Sequence, residues 1–333
     1  MLEAGKILGD RYQLKEMLGR NAGRQTWLAS DQHSDPQGLV VVKLLAFGGE
    51  VQWDDLKLFE REAQTLKQLN HPQIPQYYDY FSVDERTLWF GLVQQYIPGF
   101  SFKQLLEQGQ RLTEKKIEQI VEDILQILIY LHELNPTVLH RDIKPSNLLL
   151  GENGKVYLVD FGAVQAKAAE EGATFTVVGT YGYTPMEQFG GRAVPASDLY
   201  ALGATIVHML TSVAPADLPH EDLRLQFRDR LQVQHLSSRL IQWLEKVTEP
   251  AVSKRFPSAQ EALAALQDRN FAADPQENPP PNAPSFFANA VQITPPPTTA
   301  IQVDGSPEEL KISIPSTLPW LENMPVWAII LTF

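Results

Sequence analysis

The stretch VLHRDIKPSNLLL places a carboxylate, an ammonium and an amide, Asp142, Lys144 and Asn147, in one short turn between apolar segments. Charged groups persist in such a setting when they are paired or put to use. The cluster therefore serves either chemistry or a structural network. A second acid, Asp160, follows the apolar residues of VYLV and precedes Phe161 and Gly162. A carboxylate at a strand end, beside a glycine that frees the backbone, suits a metal-binding acid. A simple turn aspartate is the plainer reading. Upstream, VVVK places Lys43 on an apolar strand, where a lysine otherwise snorkels at an edge, and FEREA places Glu62 on a helix. Cysteine is absent, which excludes disulfides, thiolate catalysis and cysteine metal sites. The seven histidines form no close ligand cluster.

These residues need elements to hold them. RYQLKEML, TWLAS and LVVVKLLAF read as strands, DDLKLFEREAQTLKQL as a helix, and YYDYF and LWFGLVQQYI as strands again. From Thr113 helices dominate. TEKKIEQIVEDILQILIYLHEL puts Ile117, Ile120, Val121, Ile124 and Leu128 along one side, and ASDLYALGATIVHMLTS and SSRLIQWLEKV supply two further helices. The pattern predicts an α+β chain with a strand-rich small lobe, a helical large lobe and a cleft between them.

With 333 residues and 44% apolar content, the chain can bury a sizeable core. Its net charge of −12 and pI near 5.1 argue against a general binder of nucleic-acid backbones, and neither a basic stripe nor a stacking platform is visible. The N-terminal MLEAGKILGDRYQL lacks a signal-peptide pattern, so a cytoplasmic location is expected. Past Asn270 the proline-rich ADPQENPPPNAPSF and ITPPPTT read as an extended spacer. EELKISIPS reads as a short strand for which the sequence offers no partner sheet. The apolar end, Met324 to Phe333, falls short of the roughly 20 residues that span a bilayer. Peripheral membrane anchoring and docking remain open for it. The expected divisions are a domain over 12–268 (small lobe 12–97, large lobe 98–268), a linker over 269–305 and a terminal segment over 306–333.

HRDIKPSN, then DFG, preceded by the VVVK lysine and the FEREA glutamate, occur in the order used by protein kinases. From about Tyr12 to Leu266 the chain resembles the eukaryotic-type serine/threonine protein kinases. GYTPMEQ, PADLPHEDLRLQFRDRL and VTEPAVSKRFPSAQEAL look like cyanobacterial and other bacterial members. The resemblance implies ATP and Mg2+, with Mn2+ as a substitute, and a protein substrate bearing Ser or Thr. Lys43 would neutralise the ATP phosphates and pair with Glu62, while Glu60 lies on another face. Asp142 would orient the acceptor hydroxyl and Lys144 would steady the transferring group. Asn147 and Asp160 would hold the metal. His140 and Arg141 would be architectural, Asp198 would support the catalytic loop from a helix start, and Gly203 would allow close helix packing. The activation segment would run from Asp160 to Glu187. In it Thr180 would shape the substrate pocket, Thr174 and Thr176 would take regulatory phosphate, by autophosphorylation among other routes and in reach of Arg141, and Glu187 would pair with Arg255.

The pattern departs from the family in its glycine-rich loop. LGRNAGRQTWLA keeps Gly19, sets Asn21 and Arg24 at the next two glycine positions and Thr26 at the valine, and shifts Gly23 one residue early. The triplet before the activation-segment end also reads Pro185, Met186, Glu187. Gln94 occupies the gatekeeper position, and the backbone of Gln95 to Ile97 would meet the adenine edge. Pro98, Gly99 and Phe100 follow without a charge cluster that would define a substrate consensus. Two readings follow: an active serine/threonine kinase, or a pseudokinase that binds nucleotide or partners without turnover.

Overall fold

The computed structural model describes residues 2–21, 23–34, 38–48, 51, 53–84, 87–166, 179–232, 236–268 and 271, and the backbone of two strands at 302–306 and 309–313. Contacts divide the chain into residues 1–275 and 276–333.

The small lobe is an antiparallel sheet of β1 (Ile7–Leu8), β2 (Tyr12–Asn21), β3 (Arg24–Asp31), β4 (Leu39–Phe47), β5 (Tyr77–Asp84) and β6 (Leu88–Gln95), ordered β1-β2-β3-β4-β6-β5. Consecutive valines favour a strand in β4, and its inner position buries Val40, Val42, Leu44 and Leu45. Successive side chains alternate between faces. Leu44 joins Tyr12, Trp27 and Val93 on one side, while Leu45 and Leu92 join Leu56, Phe59 and Ala63 of helix α1 (Trp53–Gln68) on the other. Lys43 shares the face of Leu45, so it points toward α1. The helix turns Leu56, Phe59, Ala63 and Leu66 inward at helical spacing, with Glu62 as the buried charged exception. Glu60 is exposed, in line with the expectation.

The large lobe holds α2 (Phe102–Glu107), α3 (Glu114–Glu133), α4 (Met186–Phe189), α5 (Pro195–Thr211), α6 (Ser238–Val247) and α7 (Ala259–Gln267). The Thr113 hydroxyl accepts from Lys116 N to cap α3, and Ser237 and Ser258 cap α6 and α7 in the same way. All five predicted inward residues of α3 are buried, joined by Leu125, Ile127 and Leu131. Helix α5 starts with a proline at its first turn and is apolar nearly all round, the mark of a helix that runs through a core. Gly203 sits against Val247 of α6, where a Cβ would collide. Burying a leucine or isoleucine stabilises by about 1.5–3 kcal/mol. One cluster extends from Leu66 of α1 through Phe161 to Leu199 and Trp243, so the two lobes share a core.

Short strands carry the turns between them. β7 (Gly99–Ser101), β9 (Leu148–Gly151) and β10 (Val156–Leu158) form one small sheet, and β8 (Val138–Leu139) pairs with β11 (Gln165–Ala166). β12 (His220–Glu221) and β13 (Arg224–Leu225) form a hairpin that the sequence pattern did not reveal.

In residues 276–333, β14 (Gln302–Ser306) pairs antiparallel with β15 (Glu309–Ser313), with Val303 opposite Ile312. This corrects the reading of EELKISIPS as a strand without a partner: the partner is the immediately preceding segment, which lies in the stretch taken as linker. No helix among the described residues is long and apolar enough to cross a membrane. The apolar end, 324–333, lies outside the described residues.

Candidate active site

A cavity of about 480 Å³ opens between the lobes, within the size range of small-molecule sites. Leu18, Thr26 and Val41 line it from the sheet, and Leu149 and Val159 from the helical lobe. Gln94, Gln95 and Ile97 line the strip that joins the lobes. Gln94 is 5% exposed. The Gln95 N–H is spent on the Gln76 carbonyl at 2.8 Å. The Ile97 N–H makes no hydrogen bond with a described residue, although Ile97 is buried. An unbonded donor on a cavity-lining residue is available to an external acceptor.

Lys43 reaches into this cavity from the middle of β4. Its ammonium hydrogen-bonds the Glu62 carboxylate and lies 2.9 Å from Asp160 Oδ1. Burial disfavours the ammonium, but Asp160 and Glu62 outweigh it and hold its pKa above the usual lysine value. The same Lys43 charge holds the Asp160 carboxyl well below the usual carboxylate range, against the opposing effect of burial. Both groups are therefore ionised near neutral pH. Asp160 has φ 67°, the left-handed region, which is uncommon for a residue with a side chain. Phe161, next to it, is buried edge-on against the His140 ring with centroids 5.0 Å apart.

The turn of HRDIKPSN gathers a second cluster. Pro145–Asn147 forms a single 3-10 turn with proline at its start. The Asn147 amide nitrogen donates to the Asp142 carbonyl at 2.8 Å and to Asp142 Oδ2 at 3.0 Å. Lys144 Nζ lies 2.7 Å from Asp142 Oδ2 and donates to Thr180 Oγ1 at 2.7 Å. The Thr180 hydroxyl in turn donates to Asp142 Oδ1 at 2.8 Å. Asp142, Lys144 and Thr180 thus form one ring of charge-assisted bonds, to which Asn147 is joined through Asp142, and Asn147 and Asp160 both line the cavity.

Beneath the ring lies a buried anchor. Asp198, in the first turns of α5, accepts from the backbone N–H of His140 (2.9 Å) and Arg141 (2.8 Å) and lies 3.0 Å from His132 Nε2. Burial pushes its carboxyl up, but those bonds prevail and hold it below the ordinary value. The His140 ring is fully buried, which lowers its pKa and keeps it neutral. Its Nδ1 accepts from Asp142 N, and its Nε2 faces the Val159 carbonyl as the matching donor. Arg141 has φ 65° and donates through Nε to the Ala163 carbonyl, while Gln188 donates to its backbone oxygen.

Glu187 and Arg255 meet as expected. Arg255 Nη1 donates to Glu187 Oε1 at 2.6 Å, and Ser197 Oγ donates to the same oxygen at 2.7 Å. The Arg255 side chain is fully buried and also reaches the carbonyls of Ala196, Glu249 and Pro250. Burial raises the Glu187 carboxyl, yet Arg255 and Ser197 hold it below its usual value.

The loop at the β2–β3 join is a tight hairpin. Gly19 pairs with Thr26, and Asn21 with Arg24. Gly23 has φ 71° and lies where a Cβ would collide with Val51, so its displacement from the usual glycine position is matched by a local need. Thr26 stands opposite Lys43. Thr174 and Thr176 lie outside the described residues. The motifs did not point to His132, Ser197 or Gln188. Their partners are remote in sequence, and only Ser197, beside Asp198, carried a local hint.

The protein kinase domain family matches residues 12–272. Serine/threonine-protein kinase B of Synechocystis sp. is 36% identical over 78% of this chain and 47% of its own length. Serine/threonine-protein kinase F of the same organism is 34% identical over 87% of this chain and 61% of its own length. The chain thus spans roughly half to three fifths of these two relatives. The crystal structure of the Mycobacterium tuberculosis PknI kinase domain superposes with a TM-score of 0.59 at 25% identity, covering 80% of this chain and 98% of that one. With its strand-rich and helical lobes around this cleft, the chain belongs to the protein kinase family, as a eukaryotic-type serine/threonine kinase domain of the bacterial kind.

Proposed function

We propose that the chain is an active serine/threonine protein kinase that transfers the terminal phosphoryl group of ATP to a protein hydroxyl. The observation that carries this reading is the closed ring of Asp142, Lys144 and Thr180, joined through Asp142 to Asn147, which lines the same cavity as the Lys43–Asp160 pair. A module that only binds has no need to assemble both sets.

Asp142 is the acceptor-orienting group. Its carboxylate is held by donors from Asn147, Thr180 and Lys144 at 2.7–3.0 Å, which fix the orientation from which it would accept a proton from an incoming hydroxyl. Lys144 neutralises charge beside it, and Thr180 sets the carboxylate's rotation. Lys43, fixed by Glu62, offers a cation to the phosphates, and the free Ile97 N–H meets the base edge.

The side chains also fit Mg2+. Asn147 commits its nitrogen to Asp142, its oxygen accepts from Ser146 Oγ at 3.2 Å and keeps a second lone pair for a cation, and Asp160 adds a carboxylate held ionised by Lys43. Among the described residues no group of three or more His, Cys, Asp or Glu forms a self-sufficient metal site. A Mg2+ ion is commonly held by one or two protein side chains together with the phosphates of a substrate, and Asn147 and Asp160 would be those two. When bound, Mg2+ or Mn2+ would neutralise phosphate charge.

The test is incubation of the purified chain with Mg2+, labelled ATP and a generic Ser/Thr acceptor, with modified sites mapped by mass. Label on serine or threonine, including Thr174 or Thr176 of the chain itself, is expected. Nucleotide binding without transfer would replace this reading with a pseudokinase.

A further inference from the structure

The guanidinium of Arg24 occupies a place where the family pattern provides no side chain. On β3 it lies two residues from Thr26 and opposite Leu45, so it shares the cleft-side face of Lys43. Around Gly162 three charged groups converge. A Cβ built there would lie 3.2 Å from Glu62 Oε2, 3.4 Å from Asp160 Oδ1 and 3.8 Å from Arg24 Nη1. Burial pushes the Glu62 carboxyl up, and the Arg24 charge is among those that oppose it. The Arg24 side chain nonetheless makes no hydrogen bond and no ion pair with a described residue, so its guanidinium donors are uncommitted among them. The ion pairs there already match Lys43 against Glu62 and Asp160. An added polyphosphate brings several negative charges, for which Lys43 is a single cation.

We propose that Arg24 binds the terminal phosphates of the nucleotide, doing with a planar fork what a glycine-lined hairpin would do with backbone amides. A guanidinium presents paired donors that match phosphate oxygens. Arg24 stands two residue pairs nearer the hairpin tip than Lys43, which places it toward the outer end of a phosphate chain. This inference rests on the kinase reading and sharpens it: donor affinity depends on the length of the phosphate chain through one side chain.

The test is calorimetry on the full chain with Mg2+, comparing a non-hydrolysable ATP analogue with adenosine for wild type, Arg24→Gln and Arg24→Lys. The expected result is about ten- to hundredfold weaker binding of the analogue by Arg24→Gln, the range of a charge-assisted bond. Adenosine affinity should stay unchanged, and Arg24→Lys should recover part of the loss. Unchanged or tighter analogue binding by Arg24→Gln overturns the proposal, the latter marking the side chain as a plug. Equal weakening of both ligands overturns it too, since the hairpin's shape would then be at issue. A wild type that binds neither ligand removes the kinase reading, and this inference with it.

Discussion

The two walls of the cleft are held in opposite ways. On the helical side, Asp198 is 1% exposed and ties the backbone of His140 and Arg141 to α5 with two hydrogen bonds, while His132 closes the group from α3. On the sheet side, residues Lys15 to Asn21 of β2 are exposed, and the hairpin is shaped by one left-handed glycine and strand pairing. Buried charge that is satisfied on all sides leaves few alternative arrangements. An exposed hairpin has many. On the proposed reading, the wall that would orient the acceptor is the more tightly bonded one, and the wall that would cover the nucleotide is the less constrained, which leaves room for Asn21 and Arg24 in place of glycines.

Breaking this contrast begins with the largest effect. Asp142→Asn should lower label transfer by about 10²–10⁴-fold, the usual range for losing a positioned base, while the variant still unfolds in urea as a cooperatively folded protein. Next come the buried anchors. Asp198→Ala leaves two backbone donors and His132 without their acceptor and should cost about 3 kcal/mol in urea unfolding. Arg255→Ala strands the Glu187 carboxylate and should cost a similar amount, about 3 kcal/mol. A loss under about 1 kcal/mol for both would show that the helical wall is not held by buried charge.

The acid limb of stability reports on the same wall. Asp198 and Glu187 are held below their ordinary pKa values, so the unfolded chain binds their protons more readily than the native one. Their contribution is complete above the unfolded carboxylate pKa of about 4. It is lost as pH falls through the lower native values. A series of urea midpoints below about pH 5 should fall steeply for wild type and less steeply for Asp198→Ala. The smallest effect belongs to the sheet wall: Gly23→Ala, which forces a side chain to φ 71° against Val51, should cost about 1 kcal/mol. A larger loss there than at Asp198 would invert the comparison.

Legibility in the sequence divides along the same line. LVVVKLLAF, FEREA, HRDIKPSN and DFG were readable because each packs its chemistry into consecutive residues, and long apolar periodicity marked α3 and α5. His132 was not readable, because its role comes from Asp198, 66 residues away, and a histidine near the end of an amphipathic helix signals nothing by itself. The direction of the Arg24 side chain was equally hidden. It follows from strand register and from the approach of α1, neither of which is a local property. Gln302–Ser306 escaped notice because QVDGS follows a proline-rich run and has a single apolar residue, so it carries no alternation to mark a strand.

The central claim is that one wall performs transfer while the other holds the donor. The most direct measurement pairs ATP-analogue calorimetry with label transfer for wild type and Asp142→Asn in Mg2+. The account predicts nucleotide affinities within about twofold of each other and transfer by the variant at least about a hundredfold lower. Undiminished transfer by Asp142→Asn, or nucleotide binding by both proteins with no transfer by either, would contradict it.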